Sequence, residues 1–431
     1  METVGAKDTA LNGLFSFLER AVSPFHAAAE GARLLEQAGY FEWNGTEREV
    51  RVGSRFFVRA YGSALLAFSI GENPRARLRI AAAHTDFPCL RVKPHAAMRE
   101  RGYGKLNVEV YGGMIRSSWL DRPLSLAGKV AMRGDDPYTP VVREFDARRP
   151  LLIIPSLAIH MNREVNKGVE LNPQKDLLPL FTMEEDEADG DFFLDFLAEE
   201  IGAERDSILS YEITLYPTEK PCRIGRNEAF VSASRLDNMT SVYACLSGLC
   251  TGGQADGIAC AALFDNEEVG SGTKQGAASM LLPNHLARIY AGLGFTEAGL
   301  YADMEKGFCF SIDVAHAMHP NMPEKNDVTN FPMLGGGVAL KVAASQSYAG
   351  DAEAIAIAKG LCELAEVPYQ MYVNRSDLRG GSTLGSLLSR QMPMRTMDIG
   401  VPILAMHAAR ETMGASDQAA LNRLTETFYH T

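Results

Sequence analysis

No stretch of 18 consecutive apolar residues occurs in the chain, so no transmembrane helix is expected. The opening METVGAKDTALNGLF lacks a basic segment followed by an apolar one, so no signal peptide is expected either. Cysteine is sparse. Seven residues, at 89, 222, 245, 250, 260, 309 and 362, are scattered over 431 positions with no CxxC pair. That excludes a disulfide scaffold and points to a reduced, cytoplasmic compartment. Positive charge is also short, with 42 Lys and Arg against 54 Asp and Glu and a net charge of -12. A nucleic-acid partner needs a clustered basic surface and is not expected. The same field would repel an acidic ligand, so any acidic selectivity requires a local basic group. No GxxxxGK[ST] loop is present, and GSGTKQG at 270–276 is GxGxxxG rather than GxGxxG, which argues against nucleotide binding. Ser382 has no GxSxG context and is discounted as a nucleophile.

What remains is an ordinary globular composition, 46% hydrophobic and 22% charged, long enough for two domains. Residues 8–38 carry apolar positions at helical spacing and stop at Gly39. FFVRAYGSALLAFSIG and ARLRIAAAHTD read as strands, the second ending in a polar cluster. Between about 95 and 226 the texture changes to short β-like runs: KLNVEVYGG, LSLAGKVAMRG, RRPLLIIPSLAIH and SILSYEITLYPT. The acidic segment EEDEADGDFFLDFLAEE among them reads as a solvated loop followed by a surface helix. From about 227 the α/β texture returns. RLDNMTSVYACLSGLC reads as a turn and a helix, while GIACAALFDNEEVGSG, KGFCFSIDVAHA and VPILAMHAARET read as buried strands running into acids or a histidine. The expected organisation is therefore a catalytic domain over 1–94 and 227–431, interrupted by an inserted β-rich domain over 95–226.

Metal-competent side chains recur where apolar strands end: His84 and Asp86, Asp237, Glu267 and Glu268, Asp313, and His407. Imidazole and carboxylate without thiolate suit a catalytic divalent metal rather than a structural zinc. Each position also has an ordinary role. His84 or His407 serves as a hydrogen-bonded strand-end histidine, the glutamate pair as an exposed turn, and Asp313 as a helix cap. Composition and spacing leave both readings open.

HTDFPCLRVKP, YGGMIRSSWLDRPLSLAGKV, IPSLAIHMNRE, RLDN, FDNEEVGSGTKQGA, SIDVAHAMHPN and ILAMHAARE appear in this order over nearly the whole chain. Together they resemble the aspartyl aminopeptidase family of the dizinc exopeptidases. The resemblance implies an α/β fold, with a mixed-sheet catalytic domain and an inserted, barrel-like β domain that dimerises. It implies hydrolysis of an N-terminal acidic residue from peptides, with two divalent metals per subunit, zinc by expectation. Asp237 would bridge them, His84 and Asp313 would complete one site, and Glu268 and His407 the other. Asp86 would orient the metal-binding histidine, and Glu267 would be the general base. His160 would be lent to a neighbouring subunit in a tetrahedral, twelve-subunit shell. Lys341 and Tyr348 would line the substrate pocket, with Lys341 favouring an acidic side chain. The glycine run 335–337 stands where bulkier residues are expected and would alter the pocket floor. The same ligands would also serve a dizinc aminopeptidase for neutral residues or a carboxypeptidase. A non-catalytic scaffold would have lost a ligand or the base, and none is missing.

Overall fold

The structure, a computed structural model, describes residues 2–46, 49–183, 191–251, 255–378 and 380–431. The chain forms two compact units, Met1–Asp86 with Pro221–Met406 and Glu411–Thr431, and Phe87–Lys220 with His407–Arg410. The boundary expected at 94/95 falls inside the strand Cys89–Glu100, and that at 226/227 inside the short turn Arg226–Glu228. Pairing of Arg91 with Glu109 and of Val92 with Val108 carries the first of these segments into the second unit.

The first unit is built on a nine-stranded mixed sheet in the order Phe41–Glu42, Arg55–Ala60, Ala64–Ile70, Ile258–Phe264, Leu78–His84, Phe308–Ile312, Arg395–Gly400, Val338–Val342 and Tyr369–Val373. Four central strands, Ile258–Phe264, Leu78–His84, Phe308–Ile312 and Arg395–Gly400, run parallel. Strands covered on both faces are continuously apolar, as IACAALF and LRIAAAH are, and every residue of both is buried. Among the helices of this unit, Pro24–Gln37 starts at Ser23, whose hydroxyl accepts from the His26 N–H, with proline at the first helical position. Gly31 lets that helix lie close on the sheet, since a Cβ there would stand 2.7 Å from Leu65 Cδ2. The C-terminal helix Asp417–His430 lies against Leu236–Cys250, pinned where Thr425 Oγ1 donates to the Ala244 carbonyl at 2.9 Å. A smaller five-stranded sheet takes Cys222–Ile224, Phe230–Ala233, Glu411–Gly414, Pro402–Leu404 and Ala315–His316. The PILAM segment expected as a third buried strand is thus only three residues long and belongs to this smaller sheet. The central strand from that region is Arg395–Gly400.

The second unit holds a six-stranded antiparallel sheet in the order Val141–Asp146, Leu124–Met132, Ile208–Pro217, Cys89–Glu100, Tyr103–Tyr111 and Leu180–Met183. Two isolated bridges, Leu124 with Leu152 and Ile153 with Leu180, lead from one side towards the other. Among the described residues the sheet does not form a closed barrel, and the two bridges bring its sides together in a barrel-like sense. Helix Phe192–Ile201, capped by Asp191, buries Phe192, Phe193, Leu197 and Ala198. Phe193 meets Tyr211 edge-on at 5.4 Å. The acidic residues 184–190 that precede it lie outside the described residues. LLIIPSLAIH forms no strand. Pro155 removes a ladder donor, and beyond it Leu157, Ile159 and Met161 are 54%, 48% and 74% exposed. No helix among the described residues is long and apolar enough to cross a membrane.

Candidate active site

In open α/β sheets, ligands bind beyond the carboxyl ends of parallel strands. Four chain segments of the first unit deliver polar side chains there. His84 is the last residue of Leu78–His84 and pairs with Phe264. Asp313 directly follows Phe308–Ile312. Glu267 and Glu268 open the 3₁₀ turn Glu267–Val269, bracketed by Asn266 and Gly270 in the left-handed region at φ 64° and 99°. Asp237 sits in the irregular first turn of Leu236–Cys250, after Arg235 at φ 61°.

These residues converge. His84 Nε2 lies 3.4 Å from Asp237 Oδ1 and 3.6 Å from Asp313 Oδ1. Ligand atoms of His84, Asp237 and Asp313 all lie within 4.8 Å of one another, as do those of His84, Glu267 and Glu268. One imidazole and several carboxylates at that spacing fit a divalent cation of the zinc type. Behind them, Asp86 is fully buried and holds two pieces together. Its carboxylate accepts the Glu267 and Glu268 backbone N–H groups, each at 3.1 Å, and lies 3.4 Å from His84 Nδ1. His84 Nδ1 is also 3.0 Å from the Asp86 carbonyl. A metal-facing imidazole fixed through its other nitrogen is the usual supporting arrangement.

Burial acts against a proton on His84, but Asp237, Asp313 and Asp86 overcome it and raise its pKa well above the ordinary imidazole value. A cation would take the place of that proton. Burial raises Glu267 to about 8, with Asp313, Asp86 and Asp237 adding to it and His84 opposing. Burial likewise disfavours ionised Asp313, yet Lys341 and His84 hold its pKa below the ordinary carboxylate value.

Lys341 is 2% exposed and lies beneath Asp313. Its ammonium donates to the Val314 carbonyl at 2.9 Å, the Asp313 carbonyl at 3.2 Å and Asp313 Oδ2 at 3.3 Å. Its three donors have three protein acceptors, two of them on Asp313, so it also supports that carboxylate. Tyr348 is buried with its ring 4.8 Å from that ammonium. Asp398 lies beyond, accepting from Ser311, Thr383 and the Ala349 N–H, and burial pushes it up to about 6. The glycine run at 335–337 serves Asp417, whose carboxylate accepts the Gly335 and Gly337 N–H groups at 2.8 and 3.0 Å. Gly337 has φ 84°, and a Cβ there would stand 2.1 Å from the Pro368 carbonyl oxygen.

His407 and His160 belong to the second unit. His407 lies three residues beyond its short strand at φ 68°, with Nδ1 3.1 Å from the Gly113 carbonyl. His160 is exposed in a turn. One supporting residue escaped the sequence reading. Glu411 is buried, and its Oε2 accepts the Asp237 N–H at 3.1 Å. It is the last residue of ILAMHAARE, and a carboxylate closing a ligand-bearing motif was the available signal.

Residues 17–429 match the family described as Aminopeptidase I zinc metalloprotease (M18). A probable M18 family aminopeptidase 2 from Clostridium acetobutylicum is 40% identical over 422 residues, 97% of this chain and 98% of its own. The structure of an Ape4 and Nbr1 complex matches with a TM-score of 0.94 and 34% identity, over 99% of this chain and 86% of that one. The S. cerevisiae mApe1 dodecamer shares the fold with a TM-score of 0.85 at 23% identity, over 98% of this chain and 96% of that one.

Proposed function

The chain belongs to the M18 family of zinc aminopeptidases, and we propose that it removes an N-terminal acidic residue, aspartate or glutamate, from peptides at a centre holding two zinc ions. The observation that carries this reading is the convergence of His84, Asp237 and Asp313 with the Glu267–Glu268 turn at the parallel strand ends. By the family resemblance, Asp237 would be shared between the two ions, His84 and Asp313 would hold one, and Glu268 and His407 the other. When bound, such ions supply a water that ionises near neutral pH and a Lewis acid for the scissile carbonyl.

The chain's own groups do the rest. Asp86 fixes the His84 ring and the backbone of the glutamate turn. Glu267, partly buried and free of strand constraints, takes the proton from the attacking water and delivers it to the leaving amine. Lys341 supports the acidic preference. Once cations engage Asp313, the charge of Lys341 is less compensated, and its field favours a substrate carboxylate over a neutral side chain. Asp-, Glu- and Leu-aminoacyl chromogenic substrates, assayed with and without zinc, test this. Acidic substrates should lead leucine in kcat/KM by about 10²-fold or more. Equal turnover of leucine would leave an aminopeptidase without acidic preference. No zinc-dependent turnover of any of them would leave a scaffold.

The proposal extends to assembly. Exposed Leu157, Ile159 and Met161 flank His160 and offer an apolar surface to another subunit. In this reading a neighbour receives His160 at its active centre, in a twelve-subunit assembly, as the S. cerevisiae mApe1 is a dodecamer. Light scattering should find a particle far heavier than the 47.0 kDa chain. Mixing inactive His160→Ala with inactive Glu267→Gln subunits should restore activity, because some centres then pair an intact base with an intact donated histidine. A fully active monomer, or no recovery in verified mixed particles, rules the shared centre out.

A further inference from the structure

We propose that Asn44 is a self-modifying site, where the Gly45 backbone nitrogen attacks the side-chain amide and converts Asn44 to aspartate and isoaspartate, loosening the seat of Trp43. Nothing in this depends on the metal centre. The dipeptide Asn-Gly occurs twice in the chain, at 12–13 and at 44–45. Both asparagines are exposed. Their backbones differ, and the backbone decides whether the glycine nitrogen can reach the amide carbon.

Asn12 and Gly13 lie inside the helix Glu2–Arg20. A helical N–H is held by the carbonyl four residues back, so it is not free to turn towards its neighbour's side chain. Gly13 is also packed closely, since a Cβ there would stand 1.8 Å from the Tyr243 hydroxyl. Gly45 belongs to no helix or strand, and its φ of 93° lies in the left-handed region that glycine enters freely. Among the described residues its N–H has no hydrogen-bond partner. Asn44 Oδ1 accepts the Thr46 N–H at 3.0 Å and the Thr46 hydroxyl at 2.7 Å. This turn folds the side chain back over the Gly45 peptide. The same two donors meet the negative charge that develops on Oδ1 when Cγ is attacked. Arg288 lies on the glycine side. It donates to the Gly45 carbonyl, and its Nη2 would stand 2.7 Å from a Cβ on Gly45. A cation so close favours the deprotonated Gly45 nitrogen, which is the nucleophile.

A bond forms between Gly45 N and Asn44 Cγ, and the Cγ–Nδ2 bond breaks. The amide nitrogen leaves as ammonia, taking the proton of the Gly45 N–H. Water then opens the cyclic imide. Attack at the side-chain carbonyl gives aspartate, and attack at the backbone carbonyl gives isoaspartate, whose main chain is one methylene longer. The change reaches the core through Trp43. That ring is buried, edge-on to Phe56 at 5.3 Å, with the Arg288 guanidinium 4.7 Å from its centre. Either product also replaces an amide that donates to Glu49 Oε1 at 3.5 Å with a group bearing a negative charge. The longer backbone and the added charge both loosen the turn that holds Trp43.

The full chain is incubated in mildly alkaline buffer, and peptide mapping follows both asparagines through the mass gain of an amide becoming an acid. A free Trp-Asn-Gly-Thr peptide in the same buffer sets the time scale. Asn44 should convert about tenfold faster than Asn12 or more. Isoaspartate should be found at position 44, and the rate should rise with pH because the nucleophile is a deprotonated nitrogen. Asn44 and Thr46 are exposed, so Asn44→Gln and Thr46→Val should fold. Thr46→Val should slow conversion several-fold by removing the hydroxyl from Oδ1. Tryptophan emission should move to the red in step with conversion, and it should stay in place in incubated Asn44→Gln. Equal rates at the two positions, or an unchanged Asn44 once the free peptide has converted, overturns the proposal. Full conversion with unchanged emission overturns its link to Trp43.

Discussion

Replacing Glu267 with glutamine should leave zinc content and fold unchanged and lower kcat by about 10²- to 10⁴-fold, the usual contribution of a positioned general base. Glutamine keeps the size of the side chain and the backbone N–H that Asp86 accepts, but it cannot take a proton. Burial leads the causes that raise Glu267 to about 8. Cations in the cluster oppose that rise, bringing the carboxylate towards neutral pH, where a base can both accept and return a proton. The base works when deprotonated. Wild-type kcat/KM should therefore fall as pH drops through this pKa, and the residual activity of the glutamine variant should lack that limb. Glu268→Gln should behave differently, losing metal as well as rate. Metal analysis beside kcat over pH separates the two. Near-wild-type rates in a zinc-replete Glu267→Gln protein would take the base role away from it.

Stripping the protein with a chelator should reduce peptide hydrolysis to the detection limit, and zinc should restore it. Ion binding moves the pKa of water from 15.7 to about 7, so its removal lowers the ionised fraction at neutral pH by roughly eight orders of magnitude. No group among His84, Asp237 and Asp313 replaces that effect. Asp237→Asn should reproduce much of the loss without the chelator. The amide preserves the shape and the N–H donated to Glu411, but it lacks the charge that bridging two cations needs. Excess zinc should recover the variant partly, and metal content should track activity across a titration. Full activity in a verified zinc-free protein would refute the metal-dependent mechanism.

The central sheet was readable because its strands are covered on both faces. IACAALF and LRIAAAH are uninterrupted apolar runs, and the polar residue that ends each run is conspicuous against them. His84, Asp313 and the glutamate pair could be picked out on that ground alone. Their convergence could not, because it depends on a strand order that places Ile258–Phe264 beside Leu78–His84. Lys341 was legible as a charge near the site, but its three acceptors on Asp313 and Val314 were not, because they depend on how the strands Val338–Val342 and Phe308–Ile312 are brought together in the fold. LLIIPSLAIH failed as a strand because hydrophobicity does not distinguish a residue that pairs from one left on the surface. The change from the first unit to the second falls in the short bend 85–88, whose four residues carry no glycine and little of the composition of a linker, so the sequence hardly marks it.

The order of the nine-stranded sheet also sets a timetable for synthesis. Ala64–Ile70 and Leu78–His84 follow each other in the chain, yet they are not paired. Ile258–Phe264 occupies the slot between them, antiparallel to one and parallel to the other. The gap stays open until roughly 170 further residues have left the ribosome, about 10–35 s at ordinary elongation rates. For that interval two apolar strands present unsatisfied edges, a template for pairing with other nascent chains. The insert Phe87–Lys220 is made meanwhile and has a sheet of its own to complete. Chaperone demand during translation should therefore concentrate on the first 86 residues, fall when the segment after Gly257 emerges, and end once Phe308–Ile312 covers the other edge of Leu78–His84.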